Sequence, residues 1–328
     1  MSSKGEPIVV VKDLVRTFES VDAVRGLSFT ISPGQVVGFI GANGAGKTTT
    51  MRMLVTLDTP TSGQVLVDGF DIVHYPERVR TRLGWMPDSY GTYDHTTVEE
   101  YLDFFARSFG YVGGDRHARV REVMEFTDLM ELRTREIDEL SKGMGQRLCL
   151  GRMLLHDPDV LIMDEPAAGL DPKARVEFKR LVRLLKEDNK AIFISSHILS
   201  ELDDMCDTIL FINQGEMVHH GATDALKQEQ FGVVTYEIRT VEEPSVVAEW
   251  VKFCPGVSVL EVDAKRCSIR FEQDDPDLIA QTLRRMLQEG LRVLDFHRRE
   301  RRLEDAFIDV LEQTNSRKSG RGDKGGAR

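Results

Sequence analysis

Short apolar runs and helical stripes alternate along much of the chain. Compact apolar runs bounded by turn residues are typical of buried strands; they occur at 35–40, 83–86, 159–163, 191–194 and 208–212. Segments whose apolar positions recur at helical spacing occur at 48–57, 148–155 and 172–187. Strands that alternate with helices in this way predict an α/β fold with a parallel sheet.

Two segments before residue 160 depart from this alternation. Apolar alternation at 8–31 predicts an antiparallel hairpin or meander. From Thr97 to about Leu140 the pattern is helical and rich in charge, and Gly113-Gly114 divides it into two stripes. The sequence therefore predicts an antiparallel β subdomain and a helical subdomain, at about 89–155, inserted into the α/β core.

The C-terminal region has a different rhythm after about Phe231. Its predicted order of elements, βαββαβ, indicates a small ferredoxin-like α+β domain, followed by a last helix at Leu303–Leu311. From Ser316 onward, Gly, Lys and Arg dominate and predict disorder. The predicted domains are residues 1–230, an accessory or regulatory domain at 231–315, and a disordered basic tail at 316–328.

Bulk properties restrict the classes of function. The chain has 328 residues, a formal net charge of −11 and a pI of about 5.3, which argue against a nucleic-acid partner. No apolar run approaches the ~18–20 residues that span a bilayer. No apolar leader follows Met1, so we expect a cytoplasmic protein. The cysteines form no C-x-x-C pair and are predicted to be reduced packing residues.

A glycine-rich loop is the first candidate site. Gly41-Ala-Asn-Gly-Ala-Gly-Lys-Thr48 fits the P-loop pattern G-x-x-x-x-G-K-[ST], and a predicted strand and helix flank it, which disfavours a chance match. Backbone N–H groups at the helix N-terminus would bind phosphate. Lys47 would reach the β- and γ-phosphates and Thr48 would bind Mg²⁺. The predicted nucleotide-binding residues here are Gly41, Asn43, Gly44, Ala45, Gly46, Lys47, Thr48 and Thr49.

Two adjacent carboxylates follow the predicted strand at 159–163. Ligands of open α/β sheets bind at the carboxyl ends of strands. Asp164 is therefore predicted to hold Mg²⁺ through water, and Glu165 to polarise an attacking water as general base. His197 ends the next predicted strand, where the phosphate face is expected. Phe18 could stack on a base, although the residues alone favour a strand-core role.

A resemblance narrows this interpretation. The stretch Leu140-Ser-Lys-Gly-Met-Gly-Gln-Arg147, at its distance before Asp164-Glu165, resembles the signature motif of ABC ATPases. Gly169-Leu-Asp171 resembles their D-loop, His197 their switch histidine, and Phe18 the aromatic residue that stacks on adenine. The resemblance covers about residues 8–225. It implies the P-loop NTPase fold of an ABC ATPase core that binds ATP.

The resemblance also implies a mechanism. Two such domains, a homodimer or a pair with another ATPase subunit, would meet head to tail around two ATP molecules. Each nucleotide would lie between one P-loop and the partner's signature helix, with Ser141, Gly143 and Asp171 as contacts. The implied catalytic residues are Lys47, Glu165 and His197. Hydrolysis would reopen the pair and drive a membrane partner.

Three positions depart from the family pattern. Lys142 replaces the usual second glycine of the signature, and Met144 replaces its glutamine. Asp88 stands where the Q-loop glutamine is expected, after Trp85-Met-Pro87. An ionised aspartate donates no hydrogen bond but can coordinate Mg²⁺ or water. Asp88 therefore joins Thr48 and Asp164 as a predicted metal ligand.

The subclass is predicted from the C-terminal region. Arg302-Leu-Glu-Asp-Ala-Phe307 resembles the L-E-D-x-F element of daunorubicin-resistance-type drug and lipid exporters. The implied protein is the ATP-hydrolysing subunit of an ABC exporter, held at the inner face of the cell membrane by a separate integral membrane permease. An importer ATPase subunit and a soluble non-transport ABC ATPase are the alternatives.

Overall fold

The structure is a computed structural model that describes residues 6–89, 91, 93–202, 205–223 and 234–299. These residues form two compact units, one that extends to Thr223 and one that begins at Val234. The predicted last helix, Leu303–Leu311, and the tail from Ser316 lie outside the described residues.

The first unit contains two sheets and several helices. Its strands are β1 (Val9–Phe18), β2 (Val21–Ile31), β3 (Val36–Ile40), β4 (Ser62–Val67), β5 (Phe70–Asp71), β6 (Leu83–Met86), β7 (Val160–Met163), β8 (Ala191–Ser196), β9 (Thr208–Asn213) and β10 (Glu216–Ala222). Its helices are α1 (Lys47–Leu54), α2 (Pro76–Arg80), α3 (Val98–Ser108), α4 (Gly113–Phe126), α5 (Lys142–Leu154), α6 (Pro172–Glu187) and α7 (Leu199–Leu202).

The central sheet has the strand order β10-β9-β3-β8-β7-β6. All neighbours are parallel except β10, which pairs antiparallel with β9 at the edge. Every residue of β3, β7 and β8 is buried, as expected for apolar runs covered on both faces. This order places the carboxyl ends of β3, β7 and β8 side by side, where a ligand site of an α/β sheet forms.

The antiparallel sheet, with the order β2-β1-β4-β5, shares one core with the central sheet. Phe193 of β8 stacks against Phe29 of β2 and Phe39 of β3, with ring centroids 5.3 and 5.1 Å apart. The predicted antiparallel pairing of 8–31 is confirmed by β1 and β2. Aromatic stacking therefore packs the antiparallel sheet against the central sheet within this shared core.

The helical segment comprises α3, α4 and α5, with two 3₁₀ turns between α4 and α5. Thr97 and Glu100 form a capping box that begins α3. Gly113 and Gly114, predicted to separate the two helical stripes, form the first turn of α4 instead. The helix predicted at 148–155 begins earlier, because Ser141 caps the backbone and the residues that follow are already helical.

The second unit is a βαββαβ domain whose elements are β11 (Val234–Thr240), α8 (Pro244–Val251), β12 (Val257–Val262), β13 (Cys267–Phe271), α9 (Pro276–Gln288) and β14 (Val293–Arg298). Its sheet order is β12-β13-β11-β14, with antiparallel neighbours throughout. Both helices pack on one face over a core of Ile238, Ile269 and Phe271. The predicted ferredoxin-like fold is confirmed.

All four cysteines are buried and free. Burial raises the pKa of the Cys149 and Cys267 thiols to about 11, so both stay protonated at neutral pH.

In the described ranges, no helix has the length and apolar character needed to cross a membrane.

Candidate functional site

The P-loop, residues 41–48, connects β3 to α1 and is braced from behind. Gly46 has φ of 106° and is the N-cap of α1; a Cβ there would lie 2.4 Å from the Ala23 carbonyl oxygen. The Gly215 N–H donates to the Ala45 carbonyl over 2.9 Å, and the Gly215 carbonyl accepts from the Arg25 N–H over 2.8 Å. Strand β2 and the β9–β10 turn therefore pack against the loop at Ala45 and Gly46, where α1 begins.

Lys47 lies at the centre of the site and is 6% exposed. Its ammonium donates to the Gly41 carbonyl over 2.8 Å and lies 3.3 Å from Glu165 Oε1. Such burial is sustained because the charge is paired and hydrogen-bonded. The fold thus brings together two residues that the sequence places more than a hundred positions apart.

Asp164 and Glu165 follow β7, as predicted. The Thr48 hydroxyl donates to Asp164 Oδ2 over 2.8 Å, and Asp164 itself is 3% exposed. Glu165 adopts the left-handed backbone, with φ of 50°, which costs a non-glycine residue about 1–2 kcal/mol. Its Oε2 lies 2.8 Å from His197 Nδ1. Glu165 therefore contacts both the P-loop lysine and the predicted switch histidine.

This donor set fits the groups that the sequence predicts. Hydroxyl and carboxylate oxygens are the ligands that Mg²⁺ prefers, and Thr48 and Asp164 present them in direct contact. No group of three or more His, Cys, Asp or Glu side chains in the described part of the chain could hold a metal by itself. A cation at Thr48 and Asp164 would therefore share its coordination with phosphate oxygens and water.

Ser141, Gly143 and Asp171 form a second cluster. Ser141 Oγ accepts from the Met144 N–H over 3.4 Å at the start of α5. Asp171 is the N-cap of α6 and accepts from the Ala174 N–H over 2.8 Å. A Cβ on Gly143 would lie 2.8 Å from the Ala174 Cβ, so the two helix N-termini are in contact. Among the described residues, no hydrogen bond or ion pair joins Ser141, Gly143 or Asp171 to the P-loop.

Phe18 ends β1 and is 42% exposed, which excludes the strand-core role. The Arg16 guanidinium lies 4.3 Å from its ring centroid. Asp88, the residue after Pro87, is exposed. Among the described residues, its carboxylate forms no hydrogen bond or ion pair. In the described residues, Asp88 therefore has no hydrogen bond to Thr48 or Asp164. Its predicted role as a metal ligand stays a prediction.

Sequence reasoning missed Ser195. This residue of β8 is fully buried and hydrogen-bonds both Asp164 and Glu165. The only signal in the sequence was its position at the end of a predicted strand, two residues before His197.

Comparisons with known proteins decide the family. The profile of the ABC transporter family matches residues 24–168. The chain is 37% identical over 228 residues to the ABC transporter ATP-binding protein NatA of Bacillus subtilis, in an alignment that covers 68% of this chain and 93% of NatA. The chain belongs to the family of ABC transporter ATP-binding proteins. This ABC subunit accordingly binds ATP and hydrolyses it.

Two further relatives extend the comparison. The ABC subunit is 33% identical over 308 residues to the Nod factor export ATP-binding protein I of Ralstonia nicotianae, covering 92% of this chain and 93% of that protein. A solved ATP-binding subunit of an ABC transporter superimposes with a TM-score of 0.61 at 27% identity, covering 68% of this chain and 92% of that one. The alignment with the Ralstonia nicotianae protein therefore includes much of the second unit.

Proposed function

We propose that this ABC subunit powers export through a separate membrane permease, with Mg²⁺·ATP as its substrate. The contact of Glu165 with both Lys47 and His197, beside the Thr48–Asp164 pair, supports the ATPase part of the proposal. Lys47 would bind the β- and γ-phosphates, and Thr48 and Asp164 would hold Mg²⁺. When bound there, the cation would supply neutralisation of the charge that develops on the phosphates.

In this proposal, Glu165 activates the attacking water, and His197 and Phe18 contact the nucleotide. Its carboxylate accepts a proton from the attacking water and so raises the nucleophilicity of that water. His197 is hydrogen-bonded to this carboxylate, which orients the imidazole toward the γ-phosphate. Phe18, whose ring is exposed beside the Arg16 guanidinium, stacks on the adenine.

The active form in this proposal is a head-to-tail dimer. In the described part of one chain, no hydrogen bond or ion pair joins the cluster of Ser141, Gly143 and Asp171 to the P-loop, so in this proposal each nucleotide site is completed by the signature helix of a second subunit. The N-termini of α5 and α6 face each other in that cluster, and helix N-termini attract phosphate. Dimerisation and ATP binding are therefore coupled.

Two observations support an exporter. Several relatives carry the name Nod factor export ATP-binding protein I, and one of them aligns over 92% of the chain. The L-E-D-A-F segment at 303–307, outside the described residues, resembles the drug and lipid exporters of the daunorubicin-resistance type. The proposed location is the inner face of the cell membrane, where the permease holds the subunit.

The segment that carries Asp88 connects the site to a candidate permease-binding surface. The Asp164 N–H donates to the Met86 carbonyl over 2.8 Å at one end of the segment. At the other end, the Tyr93 ring packs 6.0 Å from the Phe104 ring of α3. Both aromatic side chains are more than half exposed, at 51% and 56%, so they offer a permease apolar contact area.

The proposed function is tested with the complex. The subunit is co-expressed with candidate integral membrane proteins, and a complex that co-purifies is reconstituted into vesicles with the ATPase outside. An exporter then accumulates labelled cargo in the lumen when ATP is added, whereas an importer discharges preloaded cargo. Failure of the subunit to co-purify with any membrane protein contradicts the transport role.

Replacement of Asp88 tests the coupling segment. We expect Asp88→Ala to change basal hydrolysis only modestly and to weaken stimulation by the permease and its cargo sharply, because the polar side chain between site and surface is lost. Residues that couple sites typically contribute about 0.5–2 kcal/mol, or roughly a 2- to 30-fold change. Asp88→Gln, which keeps a polar side chain at this position, should preserve much of both basal hydrolysis and stimulation.

The measurement is ATPase activity of the reconstituted complex with and without cargo. Asp94→Ala, at another exposed aspartate of the same segment, is the matched control and should behave as wild type. Stimulation of Asp88→Ala equal to that of wild type would show that Asp88 is an ordinary surface residue.

A further inference from the structure

Ser195 bridges the two acidic residues of the site. Its hydroxyl donates to Asp164 Oδ1 over 2.5 Å and accepts from the Glu165 N–H over 2.8 Å. Ser195 is 0% exposed, so no bulk water competes for these bonds. A carboxylate only accepts and a backbone N–H only donates, so the direction of both bonds is fixed.

Because Ser195 bonds to one carboxylate oxygen of Asp164, the two oxygens of this carboxylate have different partners. Oδ1 is fixed by Ser195, and Oδ2 contacts the Thr48 hydroxyl. A carboxylate fixed at one oxygen cannot rotate about its terminal bond, so the other oxygen keeps its direction. Hydrogen-bond partners behind metal ligands generally act in this way: they orient the ligand and raise its affinity for the metal.

The second bond of Ser195, which its hydroxyl accepts from the Glu165 N–H, stabilises the backbone conformation of Glu165. Glu165 lies in the left-handed region, which a non-glycine residue keeps only where its surroundings hold it. The Ser195 hydroxyl satisfies the N–H of this residue, and the resulting turn directs the side chain to Lys47 and His197. One hydroxyl on β8 thus supports both consecutive residues after β7.

We propose that Ser195 is a positioning residue that aims Asp164 at the metal and Glu165 at the attacking water. The inference rests on the proposed roles of these two acids. Removal of the hydroxyl leaves Asp164 free to turn away from Thr48. The Mg²⁺-dependent part of nucleotide binding then weakens, whereas binding of the nucleotide through the P-loop alone does not change.

The test is the Mg²⁺ dependence of nucleotide binding by the full chain. A fluorescent ADP analogue is titrated in EDTA and at graded Mg²⁺ concentrations, so no turnover is involved. We expect Ser195→Ala to raise the half-saturating Mg²⁺ concentration by about 10–100-fold, the usual loss when the partner of a metal ligand is removed. Binding in EDTA should match that of wild type.

Ser196→Ala is the matched control. Ser196 is the next residue of β8 and 1% exposed, and its hydroxyl bonds to the backbone of Ile198 rather than to either acid. This variant should keep the wild-type Mg²⁺ dependence. An equal loss in both serine variants, or an equal loss of binding in EDTA, would indicate general loosening of β8 and overturn the proposal.

Two further comparisons complete the test. Asp164→Asn should raise the half-saturating Mg²⁺ concentration for nucleotide binding. If it does not, both the proposed metal role and the Ser195 inference are overturned. If Asp164→Asn raises this concentration and Ser195→Ala does not, only the inference on Ser195 is wrong. Should Ser195→Ala fail to fold, Ser195→Thr, which retains a hydroxyl, is compared with Ser195→Cys. An equal Mg²⁺ response of these two variants overturns the proposal.

Discussion

Glu165→Gln is expected to stop steady ATP turnover while the subunit continues to bind ATP. The amide keeps the size of the side chain but cannot accept a proton from the attacking water. Loss of a general base typically lowers the rate by ~10²–10⁴-fold. ATP binding persists because Lys47 remains available to the phosphates and the Thr48–Asp164 pair is untouched. Turnover and equilibrium nucleotide binding are measured on the same preparation.

Glu187→Gln provides the control for this variant. Glu187 is an exposed residue at the end of α6, so the same chemical change there should leave turnover as in wild type. Near-normal hydrolysis by Glu165→Gln would remove Glu165 from the role of base. The contact of its carboxylate with His197 would then have only a positioning role.

Mixing two inactive variants is expected to restore part of the ATPase activity. Lys47→Ala removes the lysine from the P-loop, and Ser141→Arg places a bulky cation at the N-terminus of α5. Each homodimer has two defective sites. A mixed dimer has one site with an intact Lys47 from one subunit and an intact Ser141 from the other. Random pairing of equal amounts gives about a quarter of the wild-type number of intact sites.

The mixing experiment measures ATPase activity of each variant alone and of the mixture at equal total concentration. Ser108→Arg introduces the same side chain at an exposed position of α3 and should retain activity by itself. Full activity of Ser141→Arg alone would contradict a nucleotide site shared between subunits. Recovery requires that a single intact site turns over.

Local patterns predicted the elements of the core closely. The apolar runs at 83–86 and 191–194 became β6 and most of β8 because such runs are buried wherever the sheet places them. The P-loop was predictable because its lysine, threonine and glycines follow from phosphate chemistry within eight consecutive residues, Gly41–Thr48. The βαββαβ order of the second unit followed from the same alternation of periods.

Features that depend on neighbouring strands could not be predicted in this way. The order β9-β3-β8-β7 is set by crossover connections, and it alone brings Ser195 next to Asp164. A serine at a strand end has no distinctive local pattern, so its bonds to two acids became visible only in the fold. The apolar stripe at 148–155 marks only the second half of α5, since glycine and lysine weaken such a stripe without preventing a helix.

The brace behind the P-loop restricts how this fold can vary. Hairpin turns are usually the places where families gain insertions and where engineers attach tags or open new chain termini. The β9–β10 turn does not suit such changes, because Gly215 bonds to Ala45 and Arg25 and lies against Ala23. A residue inserted there would push the Ala45 carbonyl and displace the phosphate cradle. Length variation should therefore concentrate at other turns, such as the exposed one at Asp263–Lys265 between β12 and β13.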